Sequence, residues 1–235
     1  DTEQKYDVAV VDEAQMIADS DRGHSWTRAI LGVQAEEVHV CMSPAAEGVI
    51  THLISLCGDE CEIHRYERKT QLLCEELPFS FPEDVREDAL IVFTKKMVLD
   101  IAGRLERRGI RVSVIYGSLP PEIRRRQIRI FAEGQTRIVV STDAIGMGLN
   151  LPVRRIVFVQ TDKFDGKQTR RLKTEEIHQI AGRAGRFGLY DPGYVTAVGQ
   201  ENLDYIREHF QETEPDVDHV SLGFPQVLLD MDDPL

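Results

Sequence analysis

The sequence has a single tryptophan, four cysteines and no long apolar run. No stretch approaches the roughly 20 residues of a membrane-spanning helix, so no membrane partner is expected. Asp1 to Lys5 is polar and Val8 to Val11 is too short for the apolar core of a secretory leader. The chain begins on Asp1 rather than methionine and reads as a soluble piece of a longer protein. Cys57 and Cys61, with His64, lack the second ligand pair of a zinc module, and Cys41 falls in an apolar strand pattern. Reduced thiols are expected, not zinc or disulfides. There is no internal repeat and no low-complexity tract.

Basic charge is also scarce, since the formal net charge is -12. Taken alone that argues against nucleic acid, but the distribution is uneven. Residues 89 to 190 hold 20 basic and 9 acidic residues, a balance of +11 against -23 for the remainder. A basic middle between acidic flanks is a signal at the level of domains. Arg124, Arg125, Arg126 and Arg129 cluster within it.

Strand and helix patterns alternate. "YDVAVVDEAQ", "EEVHVCMS" and "CEIHRYER" read as strands, with "AEGVITHLISLC" a helix among them. An acidic, proline-bearing linker is expected over 74–88. Beyond it "ALIVFT", "RVSVIYG", "TRIVVST", "RRIVFVQ" and "GYVTAVG" are strands. Helices are expected over Lys95 to Arg108, through "PEIRRRQIRIFAEG" with Ser118 as cap, after Thr174 as cap, and over "ENLDYIREHF". Residues 161 to 173 suggest a loop or hairpin, and 212–235 an acidic tail or a packing segment. Such alternation predicts an α/β fold, a parallel sheet with helices on both faces.

Three stretches carry chemistry. "VVDEAQ" delivers Asp12 and Glu13 to the carboxyl end of a strand, where α/β sheets bind ligands. Asp12 suits a water-bridged magnesium and Glu13 a base for an attacking water. In "STDAIGMGLNLP", Gly146 and Gly148 allow close approach of a ligand. Asp143 there suits ribose hydroxyls or the arginine loop, and Thr142 a nucleic-acid phosphate. In "IHQIAGRAGRFG", Arg183 and Arg186 are three apart and Gln179 four before Arg183, one helical face if the helix continues. Planar guanidinium suits the charge on a transferring phosphoryl group.

"DEAQ", "STDAIGMGLNLP" and "QIAGRAGR" follow the order of motifs II, V and VI of superfamily-two helicases. With "RGHSWTRAILGVQAEEVHVCMSPAA" and "VIYGSLPPEIRRRQ", the chain resembles the DExH RNA helicases of mitochondrial RNA degradation and their bacterial relatives. That resemblance implies two RecA-like domains, with ATP and magnesium in the cleft between them and RNA across the top. It divides the chain into the last part of the first domain (1–73), the linker, a complete second domain (89–211) and the tail. It makes Asp12 the magnesium-linked aspartate, Glu13 the base, and Gln15 the link to the second domain. Ser43 stands in motif III. Arg186 becomes the principal arginine finger, with Arg183 beside it and Gln179 near the phosphates. Thr94 and Thr142 face RNA phosphates, with Arg124 and Arg125 as further candidates. DNA stays open beside RNA, and the resemblance implies a ribonuclease partner and a bacterial cytoplasm or mitochondrial matrix.

The phosphate loop G-x-x-x-x-G-K-[ST] does not occur. Truncation is the expected cause, and the fragment alone is expected to be inactive. A non-catalytic RecA-like binding module is the alternative.

Overall fold

The computed structural model describes residues 4–80, 87–146, 151–185 and 188–223. The chain forms two compact units, residues 1–65 with 214–235, and Tyr66–Thr213.

In the first unit, β1 (Lys5–Val11) lies parallel to β2 (Gln34–Val40), Val11 opposite Val40. Helices α1 (Gly23–Gly32) and α2 (Glu47–Leu56) supply the rest. Val11, Ala14, Ile17, Ala46, Ile50 and Leu53 form its core. Helix α1 is absent from the sequence reading because its first residue is a glycine after a polar, acidic run. The bare Cα is needed there, since a Cβ on Gly23 would lie 2.3 Å from the Ile17 carbonyl oxygen. The expected strand "CEIHRYER" is not formed: residues 59–68 have no strand and are exposed over almost their whole length. Its alternation has no apolar face to bury. Part of the acidic segment packs here. Val217 N–H donates to Ala45 O at 2.8 Å, Ser221 N–H to Ile17 O at 2.9 Å, and Val217 and Val220 join the core.

The second unit holds a six-stranded sheet. Its strands are β3 (Leu72–Cys74), β4 (Asp88–Ile91), β5 (Val112–Ile115), β6 (Ile138–Ser141), β7 (Arg155–Phe158) and β10 (Gly193–Ala197). All pairings are parallel and the order is β3-β10-β7-β4-β6-β5. A separate antiparallel hairpin, β8 (Asp162–Phe164) and β9 (Thr169–Arg171), follows β7. Helices are α3 (Lys95–Glu106), α4 (Pro121–Ala132), α5 (Thr174–Ala181) and α6 (Gln200–Phe210). The sequence places 72–73 in the first domain and begins a linker at 74, but β3 hydrogen-bonds onto β10, so the compact units divide earlier, after Arg65.

Strand alternation sorts the core into two layers. Leu90, Ile138, Val140 and Val157 pack with Val98 and Leu105 of α3. Ala89, Ile91, Val139, Ile156 and Phe158 pack with Phe131 of α4, Ile177 and Ile180 of α5, and Leu203 and Ile206 of α6. Helices therefore cover both faces of the parallel sheet, as the alternating pattern predicts. Among the described residues no helix is long and apolar enough to cross a membrane.

Two expected caps move. Pro120 is extended (φ -53, ψ 142) because a proline follows it, so α4 starts at Pro121 and Ser118 is not the cap. Helix α5 starts at Thr174 itself, preceded by Lys173. The Thr174 hydroxyl turns to Glu212 Oε2 at 2.6 Å, and Glu176 takes the exposed Lys173 N–H at 2.9 Å instead.

Candidate functional site

The end of β1 turns sharply. Glu13 has φ 54 and ψ 41, a left-handed conformation that is uncommon for a residue other than glycine. Asp12 Oδ1 accepts the Glu13 N–H at 2.9 Å, and Trp26 Nε1 donates to Asp12 O at 2.9 Å. Gln15 Nε2 donates to Glu13 Oε2, while its Oε1 accepts the Ser43 N–H at 3.1 Å. One side chain therefore joins the carboxylate after β1 to the loop after β2. The Ser43 hydroxyl oxygen is buried and has no hydrogen-bond partner among the described residues. Asp12 is exposed, and the pair offers the hard oxygen donors that magnesium takes.

In the second unit the segment Asp143–Gly146 runs beside α5. At its start, Asp143 Oδ2 takes Lys163 Nζ from β8 at 2.9 Å, and Lys163 also reaches Glu176 Oε1 at 3.0 Å. Arg170 of β9 grips the same Glu176 carboxylate at 2.8 and 3.1 Å. Burial pushes the Glu176 carboxyl up, but Arg170, the Lys173 amide and Lys163 outweigh it and hold the group at about 2. Burial likewise pulls the Lys163 ammonium down, and Asp143 with Glu176 more than reverses it.

At the other end of the segment, Arg183 Nη2 donates to Gly146 O. A Cβ on Gly146 would lie 3.3 Å from Gln179 Cγ. Gly146, Gln179 and Arg183, which come from two separate motifs, therefore meet at one place. They do not meet by sharing a helical face, as the spacing suggests. Helix α5 ends at Ala181, and Arg183 stands in the turn beyond it, its N–H donating to Ile180 O at 3.1 Å. Gly185 then takes φ +73. Its bare Cα also admits Gly193, since a Cβ on Gly185 would lie 2.8 Å from Gly193 Cα and 2.7 Å from Thr70 Cγ2. That close approach explains a glycine which helical spacing leaves unexplained. Gly148 and Arg186 lie outside the described residues.

The candidate nucleic-acid residues sit at the carboxyl edge of the sheet, Thr142 directly before Asp143. Thr94 follows β4 and caps α3, its Oγ1 accepting the Met97 N–H at 3.2 Å. Thr142 follows the neighbouring β6, is 7% exposed, and its Oγ1 accepts the Ala144 N–H at 3.3 Å. Arg124 closes the loop before α4 by donating to Gly117 O at 2.8 Å, while Arg125 is exposed. Both threonine hydroxyls already accept a backbone amide, which leaves each proton free to be aimed elsewhere.

Sequence reasoning passed over Lys163, Arg170 and Glu176. Their signal was the dense opposite charge of "DKFDGKQTRRLKTEE". It also passed over Arg68, whose partners Gly182, Ala184 and Gly185 lie more than a hundred positions away.

Residues 68–188 match the family described as the helicase conserved C-terminal domain, and residues 1–66 match the DEXQ-box helicase domain of Suv3. The chain belongs to the helicase C-terminal domain family. Two curated relatives are similar to most of the chain. The mitochondrial ATP-dependent RNA helicase SUV3 of Candida albicans is 43% identical over 206 residues, 86% of this chain and 29% of its own length. The mitochondrial DExH-box ATP-dependent RNA helicase DExH16 of Arabidopsis thaliana is 40% identical over 225 residues, 94% of this chain and 39% of its own. The chain thus spans between about three tenths and two fifths of these curated relatives. Among solved structures, S. cerevisiae Dbp5 bound to RNA and ADP BeF3 is similar with TM-score 0.61 and 20% identity, over 89% of this chain and 58% of that one. The likeness establishes the fold, that of RecA-like helicase domains.

Proposed function

We propose that this chain is part of the motor of an ATP-dependent RNA helicase, which couples ATP hydrolysis to movement on RNA or its unwinding. The observation that carries the reading is the Glu13–Gln15–Ser43 connection. A carboxylate placed to act on water is tied there to a second strand-end loop, so a change at one is felt at the other. The matched relatives are named as mitochondrial ATP-dependent RNA helicases, which supports RNA over DNA and the mitochondrial matrix over the bacterial cytoplasm.

Asp12 is the residue that would hold magnesium with ATP. The ion would offset phosphate charge and fix the geometry of the phosphates. Glu13 orients and deprotonates the attacking water, and Gln15 holds Glu13 in place. Arg186, supported by Arg183 and Gln179, stabilises charge on the transferring phosphoryl group. Asp143, Gly146 and Gly148 are the residues assigned to nucleotide binding. Thr94, Thr142, Arg124 and Arg125 meet the RNA backbone. A ribonuclease partner follows from the resemblance to degradation helicases.

Backbone recognition makes a salt-dependent forecast. RNA affinity of the full-length protein should fall linearly on a log–log salt plot, with a slope of about -0.7 per phosphate neutralised, and vary little between sequences. Fluorescence anisotropy at several salt concentrations measures it, beside ATPase rates with and without RNA. Salt-independent binding, or no RNA-stimulated turnover, would favour a non-catalytic binding module.

The Glu176 network makes a forecast about pH. The folded carboxyl is held at about 2, below its ordinary 4.5. A depressed folded value contributes stability above the unfolded value, and that stability is lost as pH falls through the folded one. The stability gap between the parent and Glu176→Gln should therefore be full above about pH 5 and close progressively towards pH 2. Denaturant titrations across that range check it, and a gap that widens on acidification would contradict the network.

A further inference from the structure

We infer that Arg68 is a positioning residue for the arginine loop, holding the backbone that leads into Arg186. The role rests on the reading of Arg186 as the phosphate-facing arginine.

Arg68 is the first residue matched to the helicase C-terminal domain, 114 positions before Gly182. Its Nη1 donates to Gly182 O at 2.7 Å, and its Nη2 to Ala184 O and, at 3.3 Å, to Gly185 O. Its Nε donates to Thr70 O at 2.9 Å. All three nitrogens thus serve backbone carbonyls, three of which belong to the loop after α5. A guanidinium fork spans several of them at once, and a single ammonium does not.

The loop is also held through the amide and bare Cα of Gly185. Gly185 N–H donates to Val153 O at 2.8 Å, and Gly193 N–H donates to Gln71 O at 2.9 Å. A Cβ on Gly193 would lie 2.5 Å from Gly185 N. The loop is therefore fixed by Arg68 through its carbonyls and by the close approach of Gly185 to Thr70 and Gly193. Arg183 donates to Gly146 O, and burial first and then the Arg183 charge pull the Arg68 pKa down. Holding this cation beside another costs stability. Three carbonyls held in one geometry are what that cost secures.

The test compares Arg68→Gln, Arg68→Lys and Arg186→Ala in the full-length protein. For both Arg68 variants, kcat for ATP should fall by about a hundredfold, the scale of a catalytic group misplaced by roughly 1 Å, with KM changed by less than about threefold. Affinity for ADP with aluminium fluoride should fall with kcat, because that complex resembles the transition state. Hydrogen exchange should quicken by about tenfold or more at residues 183 to 186, with exchange in β4, β6 and β7 unchanged. Rescue of kcat by Arg68→Lys would reduce the role to charge and overturn the inference. Unchanged kcat and loop exchange in Arg68→Gln, with Arg186→Ala impaired, would overturn the inference alone. An active Arg186→Ala would overturn the reading of Arg186 and the inference with it.

Discussion

Glu13→Gln in the full-length protein is expected to bind ATP as the parent does and to turn it over about 10² to 10⁴ times more slowly, the usual contribution of a positioned general base. The substitution is almost isosteric. Its amide oxygen can still accept from Gln15 Nε2, so the link onward to Ser43 N–H survives. What disappears is the carboxylate that accepts a proton from water. The backbone supports a functional assignment for this position, because Glu13 holds φ 54 where glycine would sit more easily. Such strain costs of order 1–3 kcal/mol and is retained where a side chain has a task. Equilibrium titration with a fluorescent ATP analogue and single-turnover hydrolysis separate binding from chemistry. Normal turnover would remove Glu13 from the role of base. Lost binding would give it a part in holding the nucleotide instead.

Buried strands were the most legible part of the sequence. "ALI", "IVV" and "RIVF" are apolar on both faces, and a parallel sheet covered on both sides demands that. Strand β3 was missed because "LLC" is short and stands among polar residues, and only its pairing with β10 makes it a strand. The opposite error arose in "CEIHRYER", which has strand-like alternation but no sheet to join. Site chemistry followed the same division. The carboxylates of "VDEAQ" and the arginines of "GRAGR" announce themselves because their types and spacing are local. Their supports are not local. Lys163 reaches Asp143 across 20 positions, and Arg68 reaches Gly182 across 114. Spacing also misled at Arg183. An interval of three fits a helix, but α5 ends at Ala181 and Gly185 adopts a left-handed φ that no helix continues through.

That helix end bears directly on Arg186. A helix-terminal arginine contributes about 0.3 to 1 kcal/mol by facing the dipole, an effect confined to the last turn, and lysine replaces it. Arg186 follows the last residue of α5 by five positions and comes after the left-handed Gly185, so capping is a poor account of it. A transition-state role makes a different forecast. Arg186 belongs to the second unit, whereas the carboxylates belong to the first, so its contribution should appear when charge develops rather than when nucleotide first binds. Arg186→Ala in the full-length protein should lower kcat by at least about a hundredfold, given that arginine fingers contribute roughly 10³ to 10⁵. KM for ATP should change far less. Arg186→Lys should stay impaired, because lysine keeps the charge and loses the planar fork. Steady-state kinetics and melting temperatures of the two variants decide between the accounts. Lowered melting temperature, unchanged kcat and full recovery with lysine would return Arg186 to a structural part.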